Sequence, residues 1–158
     1  MIKLSKLTDY AFVTLSRLAL YDGQAVSASD LSDEICLPEP TVAKVLKTLT
    51  RNGIVKSIRG TNGGYSLARH AEDLSVGEVI EAFEGPIALT ACVDHNSNTC
   101  ALEGICDLSG RWSPLNQQIR DVFYNTTLSD VMRQSQCSGS VKSSLKSQHT
   151  NFTERQST

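Results

Sequence analysis

A chain of 158 residues, 40% of them hydrophobic, has the length of one domain with room for an appendage and enough apolar content to bury a core without disulfide support. No apolar run approaches the ~20 residues of a membrane span, and Met1 to Lys6 leads into no signal-like stretch, so the expectation is a cytoplasmic protein, neither secreted nor membrane-bound. The net charge of −2 conceals a division, since Pro40 to Ala71 holds six basic residues and no acidic ones while Glu72 to Gly110 holds eight acidic residues and no basic ones; such a basic block is either a solvated face or the footprint of a phosphate-contacting surface.

The first periodic segment runs from Thr8 to Tyr21, with Ala11, Phe12, Leu15, Leu18 and Ala19 on one helical face, and Asp22-Gly23 ends it. Ser27-Ala28-Ser29-Asp30 reads as a capping box opening a short second helix with Ala28, Leu31 and Ile35 inward. Leu37-Pro38-Glu39-Pro40 forces a turn, because each proline biases the residue before it away from the helical region. Pro40 fits the first turn of a third helix, in which Val42, Val45, Leu46 and Leu49 face inward and Lys44, Lys47, Thr48 and Arg51 face out, with Asn52-Gly53 as its cap.

Two helices joined by about four residues, the second bearing exposed Lys, Thr and Arg, have the layout of a helix-turn-helix. Ile54 to Ile58 and Tyr65 to Ala68 read as two short strands around Arg59-Gly60-Thr61-Asn62-Gly63-Gly64, a hairpin tip with three glycines and a basic residue. A basic hairpin directly after such a helix predicts a winged helix, whose helix enters the major groove while the wing lies along phosphates or reaches the minor groove.

Ser75-Val76-Gly77-Glu78 is a second capping box, opening a helix with Val76, Val79, Ile80 and Phe83 inward that stops at Gly85-Pro86. Residues 87–110 read as irregular. From about Trp112 a longer helix carries Trp112, Leu115, Ile119 and Val122 at 3-, 4- and 3-residue steps, a seam like that of a coiled coil. Such a stripe is ordinary core in many proteins; beyond a complete winged domain it has little else to pack on, which favours dimerisation. Thr127-Leu128-Ser129-Asp130 offers a last capped turn, and the polar chain from Gln134 onward is expected to be disordered. The expected organisation is thus a mainly α protein: a winged-helix domain over 1–84 (helix-turn-helix about 28–51, wing 54–68), a cysteine-bearing loop over 85–110, a dimerisation helix over 111–133 and a tail over 134–158.

Cys92, Cys100 and Cys106 fall within 15 residues in a C-x7-C-x5-C arrangement. This is wrong for the short cysteine pairs of zinc fingers and for a dithiol. Iron–sulfur clusters accept wider loops, because the loop wraps an object several ångströms across. Cluster, zinc and inert thiols all remain readings of the spacing. Cys36 reads as a small core residue at the end of the second helix, and Cys137 has no assigned role. Tyr10 and Trp112 read as packing residues.

Leu7-Thr8-Asp9-Tyr10-Ala11, Leu46-Lys47-Thr48-Leu49 leading to Asn52-Gly53-Ile54-Val55, Arg59-Gly60-Thr61-Asn62-Gly63-Gly64-Tyr65-Ser66-Leu67, Ser75 to Ile80 and the three cysteines together resemble the Rrf2 superfamily of winged-helix transcription regulators, the IscR- and NsrR-like group. The resemblance covers residues 1 to about 133, and within the family it looks most like the regulators of the SUF iron–sulfur assembly system. It implies a cytoplasmic homodimer binding double-stranded operator DNA, with a [2Fe–2S] cluster favoured over a [4Fe–4S] one. The implied ligands are Cys92, Cys100 and Cys106. Two departures stand out: the first interval is x7 where better-known members have x5, and the place of a histidine ligand three residues after the last cysteine is Ser109. Other members use an acidic residue in the first helix of the opposite subunit, which maps to Asp9. Asp9 is therefore the fourth ligand that the resemblance implies; His95, Glu103 and Asp107 are alternatives, and the bland reading of Asp9 is a carboxylate stabilising the first turn of its helix.

Thr41, Lys44, Lys47 and Thr48 are the candidates for base or phosphate contact, and Arg59 and Asn62 for wing contact. The function expected is that of a cluster-binding transcriptional repressor of iron–sulfur assembly genes and not an enzyme. A cofactor-free or thiol-switched regulator is the alternative. An electron-transfer protein is less favoured, since the chain has no Gly-rich nucleotide loop after a strand and no paired catalytic carboxylates.

Overall fold

The computed structural model describes residues 3–60, 63–93, 105–108 and 110–136. Helix α1 spans Lys6–Ala19. It begins two residues before the periodic segment because the Ser5 hydroxyl accepts the Thr8 N–H at 3.3 Å and so caps it. Helix α2 spans Ala28–Ile35, and the Ser27 hydroxyl accepts the Asp30 N–H at 3.0 Å. Helix α3 spans Glu39–Arg51 with Pro40 in its first turn. Its inward residues Val42, Val45, Leu46 and Leu49 are all 0% exposed, as the periodicity predicts.

The chain leaves α2 through Cys36, which adopts a left-handed conformation (φ 54°) and is exposed. This corrects the expectation of a core cysteine. The αL residue that ends the helix turns its side chain to solvent, and Leu37 supplies the apolar contact instead.

After α3 the chain reverses at Asn52-Gly53, where the Ile54 N–H returns to the Leu49 carbonyl at 3.0 Å. Strands β1 (Val55–Ile58) and β2 (Gly64–Leu67) pair antiparallel, from Val55 with Leu67 to Ile58 with Gly64. Val26, just before α2, joins β2 by two backbone bonds with Tyr65 of 2.9 and 2.8 Å. Gly64 makes that approach possible, for a Cβ there would stand 2.4 Å from the Val26 carbonyl oxygen.

Helix α4 (Val76–Glu84) carries the full Ser75/Glu78 capping box. A single 3₁₀ turn covers Ala91–Val93. The stretch 111–133, expected as one dimerisation helix, is two: α5 (Ser113–Asn125) and α6 (Leu128–Gln136), parted by an extended Thr126. Thr127 and Asp130 cap α6 reciprocally, Thr127 N–H to Asp130 Oδ2 at 3.0 Å and Asp130 N–H to Thr127 Oγ1 at 3.1 Å. Helix α6 also extends past residue 133 into the first residues of the expected tail, the rest of which lies outside the described residues.

The core joins α1, α2, α3, β1 and α4 through Ala11, Leu15, Leu18, Leu31, Val42, Leu46, Leu49, Val55, Leu74 and Val79. Leu128 of α6 is buried among them, and its N–H bonds the Leu74 carbonyl at 2.8 Å. Helix α6 therefore closes the winged domain, while α5 bridges back to it against α4. Among the described residues no helix is long and apolar enough to cross a membrane.

Candidate nucleic-acid interface and cysteine segment

Burying the apolar face of α3 leaves its opposite face in solvent. Lys44, Lys47 and Arg51 are exposed there, with Thr41 and Thr48 half-buried beside them. The Thr48 hydroxyl donates to the Lys44 carbonyl at 3.3 Å, and its own carbonyl accepts from Asn52 Nδ2 at 2.9 Å. Pro40 and Ala43 are also exposed in the first half of this helix. Neither is polar, so a search for charged and hydrogen-bonding residues passes over them. The wing follows directly from the turn after α3. Lys56 and Arg59 are exposed, and the wing tip is closed by the Gly63 N–H bonding the Gly60 carbonyl at 3.0 Å. Asn62 lies outside the described residues.

The partner helix is braced from behind. Glu34 of α2 accepts from Arg17 Nε at 3.0 Å and from the Tyr21 hydroxyl. That hydrogen bond to a carboxylate, with some burial, pushes the Tyr21 phenol above its usual 10.0. The brace fixes α2 on α1, and α2 in turn seats α3.

The cysteine segment begins as an arm laid between α4 and α5. Asn116 of α5 is only 6% exposed. Its Oδ1 accepts the Leu89 N–H at 2.9 Å and its Nδ2 donates to the Ile87 carbonyl at 3.1 Å. Glu81 of α4 takes the Ile87 N–H at 3.3 Å, Arg120 Nη1 at 2.7 Å and the Tyr124 hydroxyl at 2.7 Å. Burial, then the bond to Glu81, raises the Tyr124 phenol above its usual value. The arm ends in the 3₁₀ turn, where Cys92 is half-buried with its Sγ 3.1 Å from Thr90 Oγ1. Cys106 is likewise half-buried, between exposed Ile105 and Asp107.

Cys100, His95 and Glu103 lie outside the described residues, as does Cys137. Among the described residues no three His, Cys, Asp or Glu side chains are placed to hold a metal. Asp9 is exposed in the first turn of α1. Its neighbour Thr8 donates to Glu84, which also accepts the Ser5 N–H at 2.9 Å, so the start of α1 is tied to the residue before the arm. On α5, Trp112, Leu115 and Val122 are 38%, 45% and 64% exposed, while Ile119 is half-buried.

A helix-turn-helix with a lysine-bearing second helix, followed at once by a basic two-stranded wing, defines a winged-helix DNA-binding transcription regulator. Residues 4–134 match the Rrf2 family, described as iron-dependent transcriptional regulator, and the chain belongs to that family. It is 32% identical to the HTH-type transcriptional regulator NsrR of Bacillus licheniformis over 132 residues, 83% of this chain and 92% of that one. Among solved structures it is similar to CymR, the global cysteine regulator of B. subtilis, at 26% identity and a TM-score of 0.64, over 85% of this chain and 98% of that one. The T. potens IscR structure is also 26% identical, with a TM-score of 0.61 over 85% and 88% of the two chains. The oxidized form of Staphylococcus aureus CymR is 26% identical, with a TM-score of 0.58 over 83% and 96%.

Proposed function

We propose that this regulator is an iron–sulfur-cluster-binding repressor of iron–sulfur assembly genes, acting in the cytoplasm as a homodimer on double-stranded operator DNA. The observation that carries the reading is the placement of Cys92 and Cys106: two half-buried thiols bracketing the stretch with Cys100, in the segment that leads from the winged domain to α5. The donor set fits the group by its chemistry, because thiolates are the usual ligands of such clusters and the Thr90 hydroxyl beside Cys92 can donate to a sulfur that carries charge. Cys92, Cys100 and Cys106 would hold the cluster, with Asp9 of the opposite subunit as fourth ligand. When bound, the cluster supplies a redox-sensitive centre whose gain or loss reports the cell's iron–sulfur status.

The chain's own residues do the rest. Thr41, Lys44, Lys47 and Thr48 meet bases and phosphates, and Arg59 and Asn62 follow the wing along the backbone. The exposed stripe of Trp112, Leu115 and Val122, with Ile119, meets its copy across a two-fold axis. Half-sites about 34–36 Å apart must be matched by the two α3 helices, so a change in how α5 sits on α4 alters affinity.

The test is an absorption spectrum from about 300 to 650 nm with iron and sulfide assays on protein purified without oxygen. A charge-transfer band with matching iron and sulfide is expected, and Cys92→Ala, Cys100→Ala and Cys106→Ala should each abolish it. If Asp9→Ala leaves the band and its lifetime unchanged, Asp9 is not the fourth ligand. A protein that stays colourless after anaerobic reconstitution would overturn the cluster reading.

A second reading, a thiol-switched regulator, is favoured by one observation: Cys36 is an exposed thiol at the helix-turn-helix turn. Similarity to CymR, solved in an oxidized form, is in keeping with it. Peroxide-dependent loss of DNA binding in a colourless protein would select it.

A further inference from the structure

Asn116 is a buried amide in a helix whose neighbours Leu115 and Gln117 are exposed. An apolar residue would fill that place with no polar group to satisfy. Instead the amide binds peptide groups 27 and 29 residues away in the chain, accepting from Leu89 and donating to Ile87 as an adjacent strand would. One turn along, Arg120 holds Glu81, and Glu81 holds the N–H of the same Ile87. Both backbone groups of Ile87 are thus taken, one by α4 and one by α5. Beyond Leu89 the arm is buried again at Val93, which is 6% exposed and lines a cavity together with Asn116, Gln117 and Arg120. Cys92 sits between the bonded Leu89 and the buried Val93.

We infer that Asn116, with Glu81, is the positioning joint that ties the place of Cys92 to the seating of α5 on α4. A half-satisfied buried amide is costly, so the arm and α5 have one shared register and must shift together. This rests on the reading of 87–110 as the sensing segment: a change at the cysteines that draws Ile87 and Leu89 away from Asn116 and Glu81 releases α5. The joint needs no contact with DNA, nor with the cysteine sulfurs.

The test uses the full-length protein and Asn116→Leu, which keeps the branched side-chain shape and removes both bonds, with Asn116→Ser, too short to reach both peptide groups, as second variant. Three readouts are taken: the alkylation rate of Cys92 in the cluster-free protein by peptide mapping, with Cys36 as internal control; hydrogen exchange of the Leu89 amide; and the affinity ratio between loaded and cluster-free protein for a duplex selected from random sequence by the wild type. Loss of two hydrogen bonds should speed Cys92 labelling and Leu89 exchange roughly tenfold, leave Cys36 unchanged and bring the affinity ratio towards one. Unchanged labelling in the variants that fold would show that Asn116 does not hold the arm. Faster labelling with a wild-type affinity ratio would show that the arm is held but not coupled to DNA binding. Absence of any ratio in the wild type itself would instead sink the cluster-sensing reading, and the coupling claim with it, before a variant is compared.

Discussion

Gly77 of α4 lies against the ring of Tyr124 on α5, so closely that a Cβ at Gly77 would stand 2.7 Å from the ring's Cδ2. The ring crosses α4 where no side chain intervenes, which brings its hydroxyl to Glu81 at 2.7 Å and Arg120 over its face at 5.4 Å.

Gly77→Ala should therefore destabilise the protein by about 1–3 kcal/mol through overpacking, although alanine in a helix is ordinarily better than glycine by up to ~1 kcal/mol. Urea unfolding measures it. In a Tyr124→Ala background the same change should become neutral or stabilising; an equal penalty in both backgrounds would mean that the ring is not what fills the space.

Glu84 fastens the start of α1. The Thr8 hydroxyl, then the Ser5 N–H and hydroxyl, hold its carboxyl below the ordinary 4.5. A lowered folded value means a contribution fully present above 4.5 and lost as pH falls through the folded value. Glu84→Gln should accordingly lower the urea midpoint at neutral pH, and the gap to wild type should close between about pH 5 and pH 3. A gap independent of pH would exclude the charge as its source.

Cys36 holds a left-handed conformation at φ 54°, which costs a residue with a Cβ roughly 1–2 kcal/mol. Cys36→Gly should stabilise the fold by about 0.5–1 kcal/mol once the greater freedom of unfolded glycine is deducted. A fall in stability would show that the cysteine side chain makes contacts worth more than the strain.

Arg59 stands exposed beside the wing tip. If it meets a phosphate, Arg59→Ala weakens operator binding and makes the slope of log K against log salt less negative by about 0.9. An unaltered slope would remove Arg59 from the interface.

Much of the winged domain was legible because its signals are local. The four inward residues of α3 follow helical spacing, and Ser75 with Glu78 forms the box that its spacing announces. The α5–α6 break was legible too, in the Thr127/Asp130 cap, although the stretch 111–133 was expected as one dimerisation helix. Tertiary contact decided the matter, since Leu128 completes the core above Leu74. Cys36 was misjudged because small-residue burial statistics ignore the αL geometry of a helix end. Asn116 was missed altogether: a lone asparagine within a coiled-coil-like seam reads as surface, and its partners Ile87 and Leu89 offer only backbone, which no side-chain pattern encodes. Of the candidate site, the exposed lysines of α3 could be placed from periodicity. The cysteines could be named but not arranged, because irregular chain has no period from which to read a direction.

The two peptide bonds between Val26 and Tyr65 have a consequence for the duplex. They splice the returning edge of the wing to the entrance of the helix-turn-helix, so the hairpin is moored at both ends, through β1 to the turn after α3 and through β2 to the residue before α2. If α3 and the wing meet one duplex together, a moored hairpin leaves more of the adjustment to the DNA, and affinity should then vary with the flexibility of base steps that no side chain touches.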